Sequence, residues 1–190
     1  NEAARTAKDI VALCKAKPGQ VTFGSAGNGS VNHLLGEMFN AATGVKLVHV
    51  PYRGAAPALT DLIGGQIPIA VTSATAALAQ AKGGKLHVVG LTSRERLASN
   101  PEIGVMAEAV PGFAVSNDLF VVAPLGTPVP VVAVLEKTFE TVLAHRELQA
   151  AYLAQGAIVT SFGAEVLRGR IAAAVTTWKT VAKDAGIQPE

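Results

Sequence analysis

Between residues 20 and 93 the chain alternates short β-rich runs with helix-length segments, and this alternation restricts the fold more than any other feature. The runs are QVTFGS (20–25), KLVHVPY (46–52), IPIAVTS (67–73) and KLHVVGLTS (85–93). Helices are expected at roughly 30–43, 55–63 and 73–82, stopped by TG, GG and GG. In the first of them Leu34, Leu35, Met38 and Phe39 form an apolar stripe at helical spacing. Strand, helix and strand in regular order predict an α/β fold with a mostly parallel sheet and helices on both faces. Ligands of such sheets sit beyond the carboxyl ends of the strands.

Three polar segments fall at those ends. The first is FGSAGNGSVNHLLGEMF (23–39), in which positions 24–30 hold three glycines and two serines directly before a helix. The first turn of a helix leaves amide N–H groups unpaired and carries partial positive charge. Glycines let such a backbone close on an anion. Ser25, Asn28 and Ser30 add side-chain donors, and the 26–31 amides (Ala26, Gly27 and Gly29 among them) add backbone donors. Ser30 equally suits the helix N-cap, and the two roles are compatible. The second end is PYRG, where Tyr52 and Arg53 offer a phenol and a guanidinium that pairs carboxylates. Thr72 and Ser73 form the third. Three polar ends on one edge suit a small anionic ligand.

Other chemistries lack their parts. No Gly-Lys-Ser/Thr follows the glycine loop, so it is no P-loop. Gly27-x-Gly29 is followed by Asn32, and the next strand ends in HVPYRG without an acidic residue, which speaks against a dinucleotide. Ser25 and Ser30 do not fit the G-x-S-x-G elbow of serine hydrolases. The histidines at 33, 49, 87 and 145 are scattered; His33 and Glu37 share a helix face but make at most half a metal site. His49 and His87, each inside an expected strand, read as packed or hydrogen-bonded. No catalytic residue, metal or cofactor is therefore expected. With 16% charged residues and a net charge of +2, nucleic acid is not an expected partner. The single cysteine, Cys14, excludes an intramolecular disulfide and reads as a buried helix residue beside Ile10 and Val11.

After about residue 113 the pattern changes. FAVSNDLFVVAP reads as one strand, GTPVP as a proline-rich turn, and the remainder as helix. Leu167, Ile171, Val175, Trp178 and Val181 mark one face of a long amphipathic helix. One strand with several helices cannot close a core unaided. Residues 113–190 are accordingly expected to be the tail of a domain whose main part lies upstream of residue 1. The opening NEAARTAKDIVALCKAKPGQ, read as a surface helix already in progress, suits the same expectation.

The blocks VTFGSAGNGSVNHLLGEMF, VHVPYRGAAPALTDLIGGQIPIAV, VVAPLGTP and the terminal AGIQPE together resemble the Bug family, the periplasmic substrate-binding proteins of tripartite tricarboxylate transporters. The resemblance spans essentially the whole chain. It implies a type II periplasmic-binding-protein (Venus flytrap) fold without catalysis, here lacking its N-terminal third. Residues 1–112 would be domain 2, complete, and 113–190 the C-terminal strand and helices of domain 1. The family's anion loop falls on Ser25 to Ser30 with His33 on the following helix, and its PY(K/R)G turn on Tyr52, Arg53 and Gly54. The implied partners are a small carboxylate and the membrane subunits of a transporter, and the location is the periplasm. Many members carry Asp after the third strand, where this chain has Thr72 and Ser73; SNDLF, with Asp118, replaces a common aromatic pair. Two other readings stand beside this one. The type II fold also serves as the ligand-sensing effector domain of transcription regulators, and a doubly wound sheet also hosts enzymes. A chain without its first third is further expected to self-associate.

Overall fold

The computed structural model describes residues 4–187. The first three residues of the expected N-terminal helix and the last three of AGIQPE lie outside the described residues.

Helix α1 (Ala7–Ala16) opens on a capping box, in which the Thr6 hydroxyl accepts from the Asp9 amide and Asp9 accepts from the Thr6 amide. Its buried face carries Ala7, Ile10 and Cys14. Strand β1 (Thr22–Ser25) leads into α2 (Val31–Thr43), β2 (Val48–Pro51), α3 (Ala55–Ile63), β3 (Ile69–Ala70) and α4 (Ala74–Ala81). The three helices fall where the sequence predicts them, to within a residue at each end. Helix α2 stops at Gly44, whose left-handed backbone (φ 67°) closes the last turn on the Asn40 carbonyl. Asn40 then pins the entry to β2, its side chain exchanging hydrogen bonds with the Leu47 amide and carbonyl.

All strand pairs are parallel, in the order β2-β1-β3. The chain crosses from β1 to β2 on one side, then back over β1 to β3. Both crossovers being right-handed, their helices must lie on opposite faces. Two adjacent residues of β1 confirm it, since successive strand side chains point opposite ways. Phe23, fully buried, lies against Gly36 of α2, while the Gly24 side faces Ala58 of α3. The main core gathers Ile10, Cys14, Val21, Phe23, Phe39, Leu47, Val110 and Phe113. Phe39 meets Phe113 edge-on, with ring centres 6.2 Å apart.

Two expected strands are absent among the described residues. KLHVVGLTS makes only an isolated bridge, Leu91 to Val105, and His87 sits on an exposed segment bonded to the Arg5 carbonyl. FAVSNDLFVVAP runs without regular pairing; its link to that bridge is the Val115 amide on the Thr92 carbonyl. The cause is common to both. β-propensity makes a segment fit for pairing, but a strand exists only where a neighbouring backbone takes its hydrogen bonds. Leu119 is 97% exposed and Leu125 fully so.

Three helices complete the chain: α5 (Val129–Leu143), α6 (Arg146–Ala154) and α7 (Ala164–Asp184). Glu136 of α5 accepts from the Ala164 amide and so caps α7. The predicted stripe Leu167, Ile171, Val175 and Trp178 does lie on one face, lining a groove with Phe120. Every fully buried residue among those described lies at or before Phe113.

Candidate functional site

The three polar strand ends meet. β1 is central, so its carboxyl end touches both others: the Tyr52 amide donates to the Ser25 carbonyl, and the Val71 amide to the Gly24 carbonyl. The Gly54 amide donates to the Ala26 carbonyl, and Asn32 of α2 reaches across to the Val71 carbonyl at 2.7 Å. Helices α2, α3 and α4 therefore all begin at one edge of the sheet, each aiming its N-terminus there.

Within the glycine loop, groups divide into those turned inward and those left open. Ser25 is completely buried, and its hydroxyl is shared between His49 Nε2 at 2.6 Å and the amide and carbonyl of Gly27 at 3.1 Å each. It shapes the loop from beneath. Ser30 is the N-cap of α2: its hydroxyl accepts from the His33 amide and donates to the Gly27 carbonyl. The Gly29 amide donates to His33 Nδ1 at 3.2 Å, and the Ser30 amide to the Gly27 carbonyl. The amides of Ala26, Asn28, Val31 and Asn32 have no protein acceptor among the described residues, and Asn28 is exposed. Gly27 (φ 131°) and Gly29 (φ 67°) hold backbone shapes that side chains rarely adopt.

At the second end Arg53 is exposed and makes no hydrogen bond or ion pair with another described residue. Tyr52 is not free: its hydroxyl donates to Asp61 of α3 at 2.8 Å. That bond raises the phenol's pKa and occupies the Asp61 carboxylate. Gly54 (φ 112°) starts α3 without any side-chain cap, leaving the helix start open. At the third end Ser73 caps α4, accepting from the Ala76 amide. The Thr72 hydroxyl is buried with no hydrogen-bond partner among the described residues. Buried polar groups are almost always paired, so an orphan of this kind at a strand end calls for a partner.

Two contributors escape a reading of the sequence. Asn32 and Asp61 carry no motif, because their partners lie in other segments. His49 stands opposite Phe23 in the β1–β2 register, and that register stacks its ring on His33, with centres 3.6 Å apart and planes 11° from parallel. The expectation that His49 is packed and hydrogen-bonded holds. Burial pushes its pKa down to about 4, with His33 adding to the fall. Burial lowers His33 too, against the pull of Glu37, whose Oε1 is 3.8 Å from Nε2. Among the described residues no group of three or more His, Cys, Asp or Glu is placed to hold a metal.

The groove beside α7 is a separate feature. Its volume is about 220 Å³, and at its mouth Asp118 pairs with Arg170 at 2.6 Å. No helix among the described residues is long and apolar enough to cross a membrane.

Residues 1–186 match the family described as the tripartite tricarboxylate transporter family receptor. Protein BugT of Bordetella pertussis is 33% identical over 178 residues, 93% of this chain and 55% of BugT. Among solved structures, R. palustris Rpa4515 with adipate superposes on the whole chain with a TM-score of 0.92 at 27% identity, 64% of that protein being covered. The periplasmic binding protein BugD superposes with a TM-score of 0.80 at 30% identity, with 98% of this chain and 63% of BugD covered. The chain thus spans between about half and two thirds of the length of these relatives. The likeness gives the periplasmic-binding-protein fold, and kin that are receptors rather than enzymes. On the family match, the chain belongs to the tripartite tricarboxylate transporter receptors, the group that includes the Bug proteins.

Proposed function

We propose that this chain is the larger part of a periplasmic receptor that captures a small carboxylate and delivers it to the membrane subunits of a tripartite tricarboxylate-type transporter. The observation that carries this reading is the convergence of three helix N-termini on one sheet edge. Their dipoles favour anions. Open amides at Ala26, Asn28, Val31 and Asn32, the Arg53 guanidinium and the orphaned Thr72 hydroxyl supply donors of the kind a carboxylate accepts. Rpa4515 was solved with adipate, a carboxylate, on the same fold. Residues 1–112 are read as domain 2 and 113–190 as the returning part of domain 1, a division supported by the end of the buried core at Phe113. No observation favours a regulator's effector domain.

The ligand carries no ammonium group. Thr72 and Ser73 hold hydroxyls at the place where the family resemblance implies Asp in many members, and Asp61 is engaged by Tyr52. A hydroxyl cannot pair a cation as a carboxylate does, and an unpaired ammonium in a closed cleft would cost several kcal/mol. The ligand is a dicarboxylate or an aromatic acid. A thermal-shift screen of the intact receptor with matched pairs, succinate against aspartate, tests this. Stabilisation by succinate and not by aspartate is expected; stabilisation by the amino acid alone would overturn it.

A further inference from the structure

Beneath the glycine loop lies a stacked pair of imidazoles, His33 and His49. The Gly29 amide donates its hydrogen to His33 Nδ1, so that nitrogen carries a lone pair and the ring proton sits on Nε2, toward Glu37. One stack away, His49 Nε2 bonds the Ser25 hydroxyl, which in turn holds both the amide and the carbonyl of Gly27. The two rings thus anchor the loop at two of its glycines.

We propose that His33, stacked on His49, is a positioning residue that holds the 26–30 loop in its binding shape only while its ring is neutral, so that acid loosens the receptor's grip on its ligand. A proton arriving at His33 takes the Nδ1 lone pair. Two N–H groups then face each other, and Gly29 must turn away. Charge on either ring also meets its stacked neighbour at 3.6 Å, so the pair titrates as a unit. The surroundings supply little compensation. Glu37, on the same helix, faces His33; β1 presents Phe23 and Ser25, and β2 presents no charged side chain. No charged group of α1 or α7 pairs with either ring among the described residues. Burial opposes protonation of both rings in the anchored state.

The sign follows. The anchored loop binds a proton less readily than the released one, so affinity is full above the ordinary histidine range and falls as pH drops below it. The loss sets in below the lowered pKa of ligand-free His33 and can reach at most about tenfold per pH unit for one proton. This rests on the carboxylate-receptor reading.

The test is calorimetry of the intact receptor with adipate at pH 7.5 and 5.5, for wild type and His33→Asn. Asparagine keeps an acceptor near the Nδ1 position but does not titrate. Both proteins see the same ligand protonation, so the comparison isolates the ring. Whatever the variant's affinity at pH 7.5, wild type should lose more than twofold more on acidification than the variant does. A difference below twofold would overturn the proposal. Nitrogen-15 NMR of ligand-free wild type gives an independent reading: the Gly29 amide should shift with the same midpoint as the His33 ring. A Gly29 signal indifferent to that titration would also overturn it. A receptor that binds no carboxylate at any pH would sink the function proposed above, and the Gly29 shift would still stand or fall alone.

Discussion

Gly36→Ala in the middle of α2 sets two known effects against each other. Alanine is the better helix residue, and the exchange at an exposed site would stabilise by about 0.5–1 kcal/mol. Gly36, however, is buried against Phe23, and a Cβ there would overlap the Cε2 and Cζ atoms of the ring. An ordinary contact begins near 3.4 Å, so ring or helix must give way by more than a few tenths of an ångström. Phe23 has nowhere to go: it is wholly buried, with the His49 ring centre 5.1 Å away and the core behind it. Overpacking of this kind costs about 1–3 kcal/mol. The net expectation is a loss of about 1–2 kcal/mol. Urea unfolding followed by circular dichroism reads it as a lower midpoint with an unchanged slope. Phe23→Leu relieves the overlap, so the alanine should cost about 1 kcal/mol less in that background than alone. A Gly36→Ala protein as stable as its parent, or more so, would show that α2 does not seat on Phe23 by this contact, and the placement of the loop above would lose its footing.

Two further expectations concern the loop and the exposed half. Ser30→Ala removes the N-cap of α2 and the tether on the Gly27 carbonyl, so the loop that presents the open amides loosens and adipate binding should weaken by about 1–2 kcal/mol, the worth of a helix cap; unchanged calorimetric affinity would remove Ser30 from the site. The 190-residue chain shows Leu119, Val121, Val122, Leu125 and Val129 largely exposed, so it should self-associate more than a receptor extended upstream of Asn1. Sedimentation of a clean monomer at high concentration, without dye-accessible apolar surface, would count against that.

The sequence by itself determined the local vocabulary. Glycine and serine placement marked the loop, the Ser30 cap and the stops of α2, α3 and α4, because these depend on backbone freedom and neighbouring donors a few residues away. The stripe Leu167, Ile171, Val175 and Trp178 was legible for the same reason: helical period is a local property. The motif blocks also carried the family, which the comparison over residues 1–186 bears out. Tertiary structure decided everything that depends on who stands opposite whom. It denied strand status to KLHVVGLTS and FAVSNDLFVVAP, because a ladder needs a partner that β-propensity cannot supply. It turned Ser25 from a donor at the loop into the loop's buried anchor, and gave the Tyr52 hydroxyl to Asp61. It laid His33 on His49, sixteen positions along the chain by their numbers, through a strand register that no periodicity encodes. Hydrogen bonds within a turn are written in adjacent residues, whereas those between segments exist only once β1 has both its neighbours.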